Sequence, residues 1–252
     1  MTVRSVTRAI DLLEALVSRD GQQSSLTELA EETSIDISTA HRLLTTLRQR
    51  GYVRRDSDTK QYAAGPRLAL LARRSGQTDL IKQSKPVLEE LASISRETAN
   101  LSVLDVDCAI YVETAPGPLP VRLFTTVGNK VPLYATGAGK ALLAWLPQTE
   151  RAAILETLDL LPRTPTTITD KEILANSLQQ IRTQGYAIDN EEFDQGVRCL
   201  AVPVGQLDHP IAAISVSGPA ERLTLERISQ LAPVVKNLAD GMARALTDTA
   251  AQ

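Results

Sequence analysis

Aromatic residues make up only 3% of this 252-residue chain, and there are just two His and two Cys. The cysteines, Cys108 and Cys199, lie 91 residues apart, so neither a disulfide framework nor a cysteine-rich zinc site can be built. No apolar run approaches the ~18 residues that a membrane span needs. Met1-Thr2-Val3-Arg4 leads straight into an amphipathic pattern and not into a signal peptide. A hydrophobic share of 43% with a formal net charge of −3 argues against disorder. The expectation is a soluble cytoplasmic protein with no membrane partner, made of one large or two ordinary domains.

Charge is unevenly spread. Residues 1–76 hold 12 Lys/Arg and 9 Asp/Glu, a net of +3, and the rest hold 15 and 21, a net of −6. A basic head on an acidic body fits a nucleic-acid-binding module attached to something else.

Within the head, Val6, Ala9, Ile10, Leu13, Leu16 and Val17 recur at helical spacing, with Arg4, Arg8, Asp11 and Glu14 opposite. Asp20-Gly21-Gln22-Gln23 breaks that pattern. Ser25-Leu26-Thr27-Glu28 has the form of a capping box and opens a short helix. Thr33-Ser34-Ile35-Asp36 reads as a tight turn with Asp36 as the next N-cap. A third helix runs from Ile37 to about Arg50 and closes at Gly51. Its apolar stripe is Ile37, Ala40, Leu43, Leu44 and Leu47. The opposite face carries Ser38, Thr39, His41, Arg42, Thr45, Thr46, Arg48 and Gln49, with no acid, which suits approach to phosphates and base edges. Two β-prone runs around Asp56-Ser57-Asp58-Thr59 follow as a hairpin, with Arg54, Arg55 and Lys60 at or near its tip. Helix, helix, turn, helix, basic hairpin is the layout of a winged helix-turn-helix. Candidate DNA contacts are Arg8, Ser38, Thr39, His41, Arg42, Thr45, Arg54, Arg55 and Lys60, with Arg42 and Thr39 favoured over His41 as readers.

Beyond a linker at Ser75-Gly76-Gln77 the expected domains are 1–75 and 76–252. A helix over 78–98, bent or restarted at Pro86, precedes interleaved strands and helices. Strands are expected at 100–106, 109–114, 121–127, 186–189, 199–204 and 211–217. Helices are expected at 139–146, 150–158, 173–184 and 223–246. The fold class is α+β with a mainly antiparallel sheet.

Three stretches of the body can carry chemistry. Ala135-Thr136-Gly137-Ala138-Gly139-Lys140 is not a P-loop, because Tyr134 stands where the first Gly belongs and Ala141 replaces the magnesium-binding hydroxyl. It remains a small-residue loop whose free N–H groups at a helix start suit a carboxylate. Asp189-Asn190-Glu191-Glu192 with Gly196-Val197-Arg198-Cys199 is the second. Ser215-Val216-Ser217 is the third, its two hydroxyls on one side of a strand.

The order of these motifs resembles the IclR family of bacterial transcriptional regulators over nearly the whole chain. The matching stretches are Arg4–Leu13, Leu26–Ala30, Ser38–Leu44, Gly51–Val53, Val131–Ala144, Asp189–Glu192, Gly196–Val204 and Ile214–Pro219. The resemblance implies a winged helix joined by a linker helix to a GAF-like effector and oligomerisation domain. It further implies homodimers or homotetramers on a palindromic double-stranded DNA operator, and a small aliphatic or aromatic carboxylate as effector. Carried over by position, the effector would meet Gly137, Ala138, Asp189, Cys199, Ser215 and Ser217, with Leu123, Phe124, Val131, Leu133 and Tyr134 as an apolar wall. No cofactor and no metal are expected, and repression is favoured over activation.

Two other readings compete. Cys199 could serve as the nucleophile of an enzyme with an accessory DNA-binding head, for which only His41 and His209 exist as histidine bases. Alternatively the chain could be an architectural DNA binder with no ligand.

Overall fold

The computed structural model describes residues 2–18, 22–74 and 77–250. The expected break at Asp20-Gly21, and Ser75 and Gly76 of the expected linker, lie outside the described residues. The chain divides into two compact units, Met1–Thr78 and Asp79–Gln252.

The first unit holds α1 (Arg4–Val17), α2 (Leu26–Glu32), α3 (Ile37–Gln49), the strands β1 (Val53–Arg55) and β2 (Tyr62–Ala64), and α4 (Pro66–Arg74). Local chemistry starts its helices. Ser25 Oγ accepts from the Glu28 N–H at 3.2 Å while Glu28 Oε2 accepts from the Ser25 N–H at 2.7 Å, a complete capping box for α2. Asp36 opens α3, accepting from the Thr39 N–H at 2.8 Å and the Ser38 hydroxyl at 2.7 Å. These bonds favour the ionised form and hold the Asp36 carboxyl down at about 2. Gly51, at φ 78°, takes the left-handed conformation that ends the helix. β1 and β2 pair antiparallel, Arg55 opposite Tyr62. Leu12, Leu16, Leu29, Ile35, Leu44, Val53 and Tyr62 form the core of the unit.

Two expectations for this core change. α1 buries Leu12, Ala15 and Leu16, whereas Val6, Ile10 and Val17 are exposed. The helix carries two apolar stripes, and only packing against α2, α3 and β2 decides which one turns inward. Ile37, assigned to the packing stripe of α3, is also exposed, because the helix meets the core only from Ala40 onward.

α5 (Gln77–Ser95), all but its first two residues in the second unit, is followed there by β3 (Thr98–Asp105), β4 (Cys108–Ala115) and β5 (Lys130–Pro132). Then come α6 (Gly137–Trp145), α7 (Gln148–Thr157), α8 (Lys171–Gln184), β6 (Ala187–Asn190), β7 (Val197–Gln206), β8 (His209–Pro219) and α9 (Leu225–Ala250). The strands form one antiparallel six-stranded sheet in the order β5-β4-β3-β8-β7-β6, so the fold is α+β. Residues alternate across it. Leu101, Leu200, Val202, Ile214 and Val216 pack with Leu88, Leu91, Ile228 and Val235 of α5 and α9 on one face. Ala109, Ala201 and Ala213 pack with Ala138, Ala141, Leu142, Leu174 and Leu178 of α6 and α8 on the other. Among the described residues no helix is long and apolar enough to cross a membrane.

α5 runs through Pro86 as one helix and stops at Ser95, so Thr98 belongs to β3 instead. The expected strand at 121–127 does not form. β5 takes the outer edge of β4 at Cys108–Ile110, and Pro116, Pro118 and Pro120 withhold the N–H donors that would extend a ladder into that segment.

Candidate functional site

The head presents α3 outward. Ser38, His41 and Arg42 are exposed, and Thr39 and Thr45 are half-buried. Steps of four, three and four residues put Ser38, Arg42, Thr45 and Gln49 on one stripe, with His41 beside it. Thr45 and Thr46 donate their hydroxyls to the His41 and Arg42 carbonyls, leaving their oxygens as acceptors. Thr39 sits at the margin of this face. Arg8 of α1 lies close enough to Asp36 for its charge to favour the carboxylate. In the hairpin, Arg55 lies 5.2 Å from the Tyr62 ring centre and donates Nε to the Lys60 carbonyl at 3.0 Å. Lys60 donates Nζ to the Ser57 carbonyl. Both charges are therefore positioned by the hairpin itself, while Arg54 is exposed on β1.

In the second unit the polar candidates converge on the α6 face of the sheet. Cys199 on β7 is in register with Ser217 on β8 and with Asp189 on β6. One step along, Ala201 is opposite Ser215. α6 starts above them: a Cβ built on Gly137 would stand 2.9 Å from Cys199 Sγ and 3.4 Å from the Ala201 Cβ. Glycine is what allows that approach. Thr136 caps α6 by accepting from the Gly139 N–H at 3.1 Å, so the Gly137 and Ala138 N–H groups are left without intrahelical acceptors.

Three further residues that sequence reasoning passed over join this face from β3. Thr98 pairs with Ser217, Asn100 with Ser215 and Ser102 with Ala213. Their alternation with Ala99 and Leu101 reads locally as a solvated strand, and only the register with β8 places them inside. Asn100 Nδ2 and Ser102 Oγ are buried without a hydrogen-bond partner, which costs about 1–3 kcal/mol each if nothing occupies them, and the buried Ser215 Oγ has only the Cys199 thiol beside it.

Burial sets the electrostatics. The Asp189 carboxyl is pushed up to about 7, first by loss of solvent and then, against the Glu192 N–H bond it accepts at 2.8 Å, by the nearby Glu192 charge. The Cys199 thiol is pushed up to about 12 by burial, reinforced by Asp189 and opposed by the neighbouring Ser217 and Ser215 hydroxyls. Tyr111 of β4 faces the same side, its phenol raised by burial and by the charges of Cys199 and Asp189. Beneath the site Lys140 and Glu192 form a buried ion pair, missed in the sequence because 52 residues separate the partners. Glu192 Oε2 has no partner of its own. A buried thiol with a raised pKa is no nucleophile. His209 is no base for it, because it pairs with Gln206 at the opposite end of the β7–β8 ladder from Ser217 and Cys199.

The turn carrying Asp189 and Glu192 is clasped by a loop. Thr164 and Thr166 donate their hydroxyls to the Glu191 carbonyl at 2.6 and 2.7 Å, and Thr167 donates to that of Glu192 at 2.6 Å. Val131, Leu133 and Tyr134 are buried in the same cluster as Cys199 and Ala138. Leu123 is half-buried, and its carbonyl accepts from the Thr98 hydroxyl at 2.6 Å. Phe124, expected in the wall, stands 87% exposed, because the segment that carries it is not a strand and turns the ring to solvent.

Comparison with known proteins covers both units. The IclR helix-turn-helix domain model matches residues 5–57, and the bacterial transcriptional regulator IclR C-terminal model matches residues 73–244. The HTH-type transcriptional regulator BhcR of Paracoccus denitrificans is 37% identical over 250 residues, covering 96% of this chain and 88% of that protein. The transcriptional repressor IclR of Escherichia coli is 35% identical over 237 residues, covering 92% of this chain and 86% of that one. An IclR homologue from Microbacterium hydrocarbonoxydans, crystallised with 4-hydroxybenzoate, has the same fold at a TM-score of 0.77 and 24% identity, covering 96% of this chain and 99% of that chain.

Proposed function

Because the chain belongs to the IclR family of bacterial transcriptional regulators, we propose that its DNA binding is switched by a small carboxylate held on the α6 face of the sheet. The chain is an HTH-type transcriptional regulator and not an enzyme. On our reading α3 enters the major groove of a palindromic operator with Ser38, Arg42 and Thr45 toward the bases, and Thr39 and His41 flanking them. Arg8, Arg54, Arg55 and Lys60 hold phosphates. Palindromy calls for a homodimer or homotetramer, and the cytoplasm is where its DNA lies. Repression is the favoured direction, in keeping with the name of the Escherichia coli relative.

The observation that carries the effector reading is the convergence of free α6 amides with Cys199, Ser215, Ser217 and Asp189. The Gly137 and Ala138 N–H groups supply donors for a carboxylate at a helix N-terminus. Ser217 and the Cys199 thiol donate beside them, and Asp189, its carboxyl raised to about 7 and so partly protonated near neutral pH, presents a hydroxyl in that form in place of a repelling charge. Val131, Leu133 and Tyr134 supply the apolar side. A ligand bound only by the native state must stabilise it by mass action. A thermal-shift screen of pyruvate, glyoxylate, 4-hydroxybenzoate and D-gluconate, repeated with Ser217→Ala, tests this. At least one acid should raise Tm in the wild type and lose most of that effect in the variant. No shift with any acid would favour the architectural reading instead.

A further inference from the structure

The six positions assigned to the effector leave unexplained the polar row on β3. Asn100, Ser102 and Ser215 are each fully buried and share one face, Asn100 directly opposite Ser215 and Ser102 two residues along the strand. Thr114 Oγ1 engages one end of the Asn100 amide at 3.0 Å. Whichever way that amide is turned, its other end has no partner. A core that needed only packing would place Ala or Val at these positions, as it does at Ala99 and Val216 on the opposite face.

We propose that Asn100 and Ser102, with Ser215, form a hydroxyl-reading extension of the effector site, so that the effector is an acid whose carbon chain carries hydroxyl groups. This rests on the effector reading above. Gly137 stands over Cys199 and Ala201 of β7, and the register Ala201–Ser215–Asn100 crosses two strand spacings from there. That is roughly 10 Å, the reach of an extended acid of about five or six carbons. An acid held by the Gly137 and Ala138 amides with its chain laid across β8 would bring its far end to the β3 row. Each of the three is an uncharged group that can donate and accept hydrogen bonds, as pairing with hydroxyls requires. An alkyl chain or a bare ring would leave them unpaired, and a site built to pair a hydroxyl rejects analogues that lack it.

Calorimetric titration of the full chain tests this with four probes: D-gluconate and D-galactonate, hexanoate as the bare chain of equal length, and pyruvate, which reaches only the amide end. The better of the two hydroxy acids should bind at least tenfold more tightly than hexanoate. Ser102→Ala and Asn100→Ala should each cut that ratio to threefold or less and leave pyruvate affinity within twofold. Hexanoate binding as tightly as both hydroxy acids in the wild type overturns the proposal, and that comparison requires no variant to fold. Variants that weaken pyruvate as much as the hydroxy acids also overturn it, since that pattern marks a structural role. If pyruvate binds and Ser217→Ala abolishes it while hydroxyls add nothing, the effector reading stands and this extension falls. Binding of neither hydroxy acid, while glyoxylate, pyruvate or 4-hydroxybenzoate binds, overturns this extension and spares the effector reading, and binding of no acid in either set overturns both.

Discussion

Gly137 and Cys199 meet so closely that one added methyl on the glycine would stand 2.9 Å from the thiol sulfur. This contact sets the distance between the first turn of α6 and the floor of the sheet. Gly137→Ala should therefore cost about 1–3 kcal/mol of stability through overpacking and abolish acid-dependent Tm shifts. Adding Cys199→Ala should restore part of the stability, because the two sites share one contact. Additive effects in a double-mutant cycle of urea melts would show that the contact is not limiting.

Arg42→Ala should weaken operator binding without changing acid affinity. Arg54→Ala, which removes a phosphate contact and no base contact, should instead lower the slope of log K against log salt by about 0.9, and fluorescence anisotropy across a salt series reads both variants. An unchanged operator affinity would reject the placement of α3 on DNA.

Breaking the buried Lys140–Glu192 pair from one side should be severe. Lys140→Met strands the Glu192 carboxylate, which has 8% of its side chain exposed, at a cost of about 3–5 kcal/mol. Lys140→Met with Glu192→Leu should be far milder than Lys140→Met alone. Chemical denaturation of the three proteins decides it, and a double variant at least as unstable as the single one would contradict the pairing.

Asp189 makes a signed pH prediction. Its folded pKa, about 7, lies above the usual carboxyl range, so between that range and pH 7 the folded state holds more protons than the unfolded state. Stability from this group therefore falls as pH rises across that interval and levels off above it. Asp189→Asn should remove that fall, so that the gap in Tm between variant and wild type widens in favour of the variant from pH 4.5 to pH 7.5. Parallel Tm profiles would contradict the buried carboxyl.

The sequence made legible whatever was settled within a few residues. The Ser25–Glu28 capping box, the Asp36 cap and the Gly51 stop are local bargains between a side chain and the nearest backbone amides. The Gly137, Cys199, Ser215 and Ser217 stretches were legible as polar punctuation in apolar runs. What stayed hidden depended on partners far away in the chain. Thr98, Asn100 and Ser102 alternate as a surface strand does, and their burial follows from pairing with residues more than a hundred positions later. The exposed members of the α1 stripe, Val6, Ile10 and Val17, and the absent strand at 121–127 failed for the same reason: periodicity shows that a face is apolar, not what will cover it.

The central claim is that occupation of the body changes the affinity of the head for DNA. It is tested most directly by anisotropy on a duplex selected by the full chain from a random pool, titrated with and without an acid shown by calorimetry to saturate the same sample. The account predicts a change in operator Kd of about 5–150-fold, reduced to little or nothing in Ser217→Ala at equal acid concentration. An operator Kd that stays the same with the acid demonstrably bound would contradict it.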